Sequence, residues 1–377
     1  MRKMISCRIP GMILLNLLFI HSFQATSSTT PDTLSDPDHA PEAHEVSHPK
    51  KSEDQFNPRS FIFHHIKDAH EWHIITINGK DISIPLPVIL YSKHSGFHIF
   101  LSSKLQHGHS YRDFELPHHG EYSGKIIEHL PNGEIYKPID VSFTKDVATA
   151  FFSILLMLWL FISIANRYKG NPLAVPKGKQ SFFELFILFV RDEIAKPFIG
   201  DHKYKRFMPY LLTLFFFIWI NNMLGLVPFP PGGANLTGDI SVTLTLAGFT
   251  FVITTINGNK NYWQHTFNTP GVPWWLKFPI PIIPTIEFLG LFIKPITLMI
   301  RLFANITAGH IIVLSLFAMI FIFGEMQPVA GYGSSIVIIP FTIFMTFLEL
   351  LVALIQAYVF TMLSALYFGM ATEEHHD

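Results

Sequence analysis

The chain has 377 residues, 49% hydrophobic and 15% charged, with a formal net charge of −1. Soluble domains carry about 25% charged residues, so the composition points to a membrane environment, and the balanced charge gives no footprint for nucleic acid or an anionic substrate. The single cysteine, Cys7, excludes a disulfide framework and a thiolate metal site.

Residues 1–25 read as an export signal. Arg2, Lys3 and Arg8 form a basic start, and 12–20 an apolar core about half the length of a spanning helix. Small residues around Ala25 offer a cleavage site. The segment that follows is then expected outside the cytoplasm. Residues 26–56 are rich in Ser, Thr, Pro, Asp, Glu and His and are expected to be disordered, because they cannot bury a core. Residues 57–140 differ. Short β-branched and aromatic runs at 74–77, 82–86, 88–91 and 97–101 are separated by turn residues, among them the hairpin pair Asn78-Gly79. They predict a small exported β-rich domain. This front part also holds most of the 20 histidines, including His64, His65, His70, His73, His107, His109, His118 and His119. Their spacing is not that of a metal site, and solvated or structural histidines are expected. No metal or cofactor is implied.

The membrane part opens with the apolar stretch 147–165, followed at once by Arg167 and Lys169. Residues 180–199 set Phe182, Phe183, Leu185, Phe186, Phe189 and Val190 against Glu184, Arg191, Asp192, Glu193 and Lys196, the pattern of an interfacial helix. Residues 207–227 and 240–256 read as a second and third span, and 282–323 and 335–370 are two further apolar regions. The predicted fold class is an all-α polytopic membrane protein of about five transmembrane helices plus one interfacial helix. The stretch 166–206 is dense in Lys and Arg, whereas 228–239 and 324–334 have none. By the positive-inside rule the front lies outside and the C-terminus inside, the orientation that the export signal also gives. The last two regions are too long. One helix over 282–323 would measure about 60 Å, against a hydrocarbon core of about 30 Å. Each region must break or tilt steeply, and spacing leaves both open.

Ionisable side chains inside a bilayer cost about 2.5–3.5 kcal/mol each on insertion scales and are functional candidates by default. Here they are Glu287, Lys294, Arg301, His310 and Glu349, with polar Asn305 and Gln356 among them. Glu287, Lys294 and Arg301 recur every seven residues and share a helical stripe, with Asn305 near it. His310 falls about 180° around the helix from Arg301. Glu349 and Gln356, seven apart, share a face. An arginine keeps its charge when desolvated and can make a passing carboxylate release its proton. His and Glu can accept and donate protons along a water-connected relay.

The helix Leu298-Met-Ile-Arg-Leu-Phe-Ala-Asn-Ile-Thr-Ala-Gly-His310 resembles the signature helix of the a-subunits of rotary ATP synthases. Four other segments match that family in order: the Glu287–Lys294–Arg301 spacing, Leu354-Ile-Gln-Ala-Tyr-Val-Phe360, Asn222-Met-Leu-Gly-Leu-Val-Pro228 and Asp239-Ile-Ser-Val-Thr-Leu244. The resemblance covers about 145–374. It implies a bacterial inner-membrane, multi-pass subunit without catalysis of its own, with a periplasmic front and a cytoplasmic C-terminus. It also implies that the last two regions form a steeply tilted hairpin against a rotor ring of c-subunits, with a b-subunit peripheral stalk and other synthase subunits as partners. Arg301 then corresponds to the essential arginine facing the rotor carboxylate. Asn305 and Gln356 are its polar neighbours, and His310 with Glu349 lines a half-channel. Many bacterial members have this acid and histidine exchanged. Glu287, Lys294, Asn222 and Asp239 are secondary candidates, and Asp239 also suits a simple helix cap. A secondary ion transporter is the alternative, although no internal repeat of the kind such folds use is visible. A haem–copper oxidase would need several histidines within the spans.

Overall fold

The computed structural model describes residues 58–373, apart from 78–79, 107–108, 118–121, 123, 171–177, 228–229 and 268–281. The export signal and the polar segment 26–56 lie outside the described residues. The front part begins with helix α1 (Pro58–Ile66). Eight strands follow: β1 (Glu71–Ile77), β2 (Lys80–Pro85), β3 (Pro87–Ser92), β4 (Gly96–Leu101), β5 (Phe114–Glu115), β6 (Ile127–His129), β7 (Ile135–Tyr136) and β8 (Ile139–Asp140). They form antiparallel sheets ordered β1-β2, β4-β3-β8 and β5-β6-β7. Ile77 stands opposite Lys80; the turn expected at 78–79 lies outside the described residues. Alternation along β3 buries Val88, Leu90 and Ser92. The two apolar residues join Phe100, Leu105, Phe114 and Ile126 in a small core, and the Ser92 hydroxyl donates to Glu128.

The membrane part consists of α2 (Lys145–Gly170), α3 (Lys179–Phe189), α4 (Lys196–Ile199), α5 (Tyr204–Gly225), α6 (Ile240–Ile256), α7 (Lys260–Phe267), α8 (Ile282–Met326) and α9 (Pro328–Thr372). Among the described residues, α2, α5, α8 and α9 are long and apolar enough to cross a membrane. Helices α6 and α7 reach that length only as a pair bent by 104°. The stretch expected as one interfacial helix is interrupted: Val190–Ala195 between α3 and α4 is π-helical. Neither of the last two regions breaks. α8 and α9 have 45 residues each, roughly 68 Å at the α-helical rise, and continue through Pro295 and Pro340. Gln327 alone joins them, and the hairpin closes on glycine. A Cβ at Gly331 would lie 2.7 Å from Gly324 Cα, the close backbone approach that small residues allow between membrane helices.

Helix α5 is the hub. Its Phe215, Phe216 and Ile218 are fully buried, with Phe161 and Phe183 against Phe216. Helix α9 turns Ala357, Phe360 and Phe368 into the same core, at spacings of three and eight residues that keep to one helical face. Several buried hydroxyls are satisfied within their own helices. Thr250, Thr254, Thr361 and Ser364 each donate to the carbonyl four residues back. By contrast, only 11% of the most apolar window of α8 and 22% of that of α9 is buried within the chain. A broad apolar face of the hairpin is therefore uncovered.

The front part is clipped together by His70, whose Nε2 lies 2.7 Å from Asp140 Oδ2. Burial is the largest single effect on His70 and disfavours its charge. The hydrogen bond to Asp140 and the charges of Asp140, Asp68 and Glu71 together outweigh it, so the imidazole is held above its ordinary pKa of 6.5. For Asp140 burial is again the largest effect, but His70 and Ser142 together hold its carboxyl below the ordinary value of 3.8. The raised His70 contributes stability that is complete below pH 6.5 and lost as pH rises through its folded value. The lowered Asp140 contributes stability that is lost as pH falls through its own. Amide exchange over 139–146, corrected for intrinsic rates, is expected to be slower at pH 6 than at pH 8.5, and Asp140→Asn should abolish that difference.

Candidate functional site

Leu298, Leu302 and Ile306 repeat every four residues and are buried, which sets the inner face of α8. Arg301 and Asn305 fall off that stripe and are exposed in the isolated chain. His310 lies on the other side of the helix and is half-buried. Its Nδ1 is 3.4 Å from Oε1 of Glu349, which is 7% exposed. The two are not aligned for a direct hydrogen bond, and this Glu349 oxygen has no hydrogen-bond partner, an arrangement that leaves a place for water. Two glycines make the approach possible. A Cβ at Gly309 would lie 2.9 Å from Glu349 Oε1. One at Gly225, at the end of α5, would lie 3.4 Å from His310 Nε2.

The polar residues around this pair belong to three helices. Asn222 of α5 donates to the carbonyl of Ala353 at 3.4 Å and accepts from the Thr237 hydroxyl. Gln356 is 6% exposed, one heptad beyond Glu349 on the same face. Asp239 caps α6, its Oδ1 accepting from the Ser241 N–H at 2.8 Å, as the capping alternative predicts. The Thr307 hydroxyl donates to the Gly238 carbonyl at 3.4 Å.

A second group lies towards the start of α8. Lys294 places its ammonium 5.6 Å from the centroid of Tyr367, and Glu287 acts on Lys294 electrostatically. A cleft there is lined by Thr254, Tyr262, Lys294, Leu298 and Tyr367, among others. Arg301 is within electrostatic reach of Tyr367. Along the axis Arg301 stands about 10 Å from Lys294 and about 13 Å from His310 at the helical rise. The structure thus brings together His310 with Glu349, and Lys294 with Tyr367, and leaves Arg301 and Asn305 on the uncovered face of α8.

Sequence reasoning missed four participants. Tyr367 follows Gln356 by eleven residues, three turns on the same face, a spacing that could have revealed it. Lys145 and Asp146 are 7% and 3% exposed, yet at the head of an apolar run they read as ordinary flanking charges. Asn235 is 6% exposed in an irregular segment, where no periodicity marks it. Among the described residues no group of three or more His, Cys, Asp or Glu could hold a metal ion.

Ionisable groups set within long apolar helices mark a membrane protein that moves ions. The comparisons with known proteins agree. The family model described as ATP synthase A chain matches residues 147–369, and a domain of unknown function matches 61–145. ATP synthase subunit a 2 of Chlorobaculum tepidum is 47% identical over 257 residues, 66% of this chain and 69% of the relative. ATP synthase subunit a of Chlorobium phaeobacteroides strain DSM 266 is 42% identical over 294 residues, 70% of this chain and 82% of the relative. That of Myxococcus xanthus is 42% identical over 247 residues, 63% and 76%. The chain belongs to the ATP synthase A chain family.

If the His310–Glu349 approach matters, filling the gap at Gly309 should impair it. Gly309→Ala is expected to slow ion translocation by about tenfold, equivalent to about 1.4 kcal/mol of added barrier, because the new methyl would displace the Glu349 carboxyl. Gly248→Ala, where a Cβ meets nothing within 4 Å, should leave the rate unchanged. Both variants are to be compared at equal amounts of assembled complex.

Proposed function

We propose that this chain is the stationary, proton-translocating subunit in the membrane sector of an ATP synthase, and that Arg301 separates two aqueous half-channels. The observation that carries the reading is the placement of Arg301 on the uncovered face of α8, between the His310–Glu349 pair and the Lys294–Tyr367 cleft. That face suits a rotor ring of c-subunits rolling past it. Protons reach His310 and Glu349 from the exported side and load a ring carboxylate. After nearly a full rotation the carboxylate meets Arg301, whose fixed charge favours its ionised form. The proton then leaves past Lys294 and Tyr367 on the cytoplasmic side. Asn305 and Gln356 orient groups near the arginine, and Asn222 and Asp239 hold the helix ends around the outer half-channel. Catalysis on ATP belongs to other subunits. The chain has no GxxxxGK[ST] phosphate loop.

The proposed architecture is a cleaved export signal over 1–25, a polar segment over 26–56, a periplasmic β-rich domain over 57–140 and a five-span membrane domain over 145–374. The fifth span is the bent α6–α7 pair. The tilt of α8 and α9 reconciles helices of roughly 68 Å with a hydrocarbon core of about 30 Å. Two contacts support this bacterial inner-membrane orientation. Phe61 of α1 packs 5.9 Å from Phe321, near the C-terminal end of α8. At the opposite end, in the basic region, the Lys203 ammonium donates to the Thr372 carbonyl at 2.6 Å. A b-subunit stalk would hold the assembly against rotation.

Inverted membrane vesicles test the gate. Arg301→Ala is expected to reduce ATP-driven acidification at least tenfold while the complex remains assembled. Acidification at the wild-type rate would overturn this reading.

A further inference from the structure

The front part is fastened to the membrane part through ionisable residues. The Lys145 N–H donates to the Ala69 carbonyl at 2.9 Å, and its ammonium reaches the carbonyls of His65 and Lys67 at 3.4 Å. The Asp146 N–H donates to Asp68 Oδ1 at 3.0 Å. The Trp72 indole N–H donates to the Gly232 carbonyl at 3.1 Å, and the Thr149 hydroxyl to that of Pro231 at 3.3 Å. A clasp with no other role would satisfy its own polar atoms. This one does not. Asp146 is 3% exposed and its Oδ1 has no hydrogen-bond partner, and neither amide atom of Asn235 has one. Such buried orphans in a polar setting mark places for water.

These groups make a continuous series. Asp140, with a side chain 30% exposed, is the outermost, and His70 lies directly behind it. Asp68 is within electrostatic reach of His70. Asp146 is within reach of Asp68, Lys145 and Asp239. The Asn235 amide lies against Gly238, where a Cβ would approach it to 2.0 Å, and the Gly238 carbonyl accepts from Thr307, one turn before His310. Lys145 in turn acts on His310. We propose that the front domain supplies the outer mouth of the proton path, with Asp140, His70 and Asp68 collecting protons at the surface and delivering them through water to Asp146 and on to His310 and Glu349. Each transfer moves one proton from donor to water to acceptor, and every group returns to its starting charge once it has both received and passed on a proton. The proposal rests on the proton-translocating reading above. Burial raises the Asp68 carboxyl above its usual range, and His70 is also raised, which suits both to hold a proton in transit. The other charged neighbours of this relay are Glu71, Lys145 and Asp239.

The test uses the whole ATP synthase reconstituted in vesicles, with synthesis driven by an imposed proton gradient and the front domain facing the proton-rich side. Asp68→Asn and His70→Gln keep a hydrogen-bonding group of similar shape while removing the titrating one, and Asp140→Asn is a third variant at the surface. At low buffer concentration each should lower the synthesis rate about tenfold, the low end of what charge-focused capture contributes. Raising imidazole or another mobile buffer on the proton-rich side should restore it. A merely structural residue would not respond to buffer. Wild-type rates at low buffer would overturn the proposal. So would a loss that buffer does not restore in an assembled complex that still hydrolyses ATP. Arg301→Ala run in parallel separates the two readings: if it still makes ATP, the underlying translocation reading fails, whatever the front-domain variants do.

Discussion

A charged or proton-binding side chain survives in an apolar bundle only if a partner or water reaches it. Much of this structure follows from meeting that requirement at His310 and Glu349. The two groups come from different helices and stand 3.4 Å apart, and their meeting depends on missing side chains. Gly309 gives Glu349 room, and Gly225 gives it to the imidazole. Asn222 and Thr237 tie α5 and the segment before α6 to the backbone of α9 beside them. The same constraint explains why Arg301 is kept elsewhere. On the uncovered face of α8 its charge is held apart from Glu349.

The two long helices present a continuous, largely uncovered apolar surface. A break in either would expose backbone N–H and C=O groups to lipid, each at a cost of several kcal/mol. A one-residue turn and the Gly324–Gly331 contact keep the pair together. The core that holds them lies to one side, on α5 and its phenylalanines, leaving the other side open.

Much of this was legible in the sequence. The apolar stretches marked the spans, and the seven-residue spacing of Glu287, Lys294 and Arg301 set the stripe from which His310 departs by half a turn of the helix. The β-branched runs marked strands β1 to β4. What stayed hidden depends on contacts between distant segments. Trp72 meets Gly232 across 160 residues, and Asp68 meets Asp146 across 78. Local periodicity carries neither. Asp146 and Lys145 carry the residue types of ordinary flanking charges, and only burial distinguishes them. The 104° bend between α6 and α7 and the π-helical stretch at 190–195 leave no mark in hydropathy.

The central claim, two aqueous paths that do not join, is tested most directly by side-specific labelling. With Cys7 replaced, single cysteines at Thr307, on the His310 side, and at Thr254, in the Lys294–Tyr367 cleft, would be exposed to a membrane-impermeant thiol reagent from each side in turn. The account predicts modification of Thr307→Cys only from the side bearing the front domain and of Thr254→Cys only from the other. Labelling of both positions from one side would contradict it.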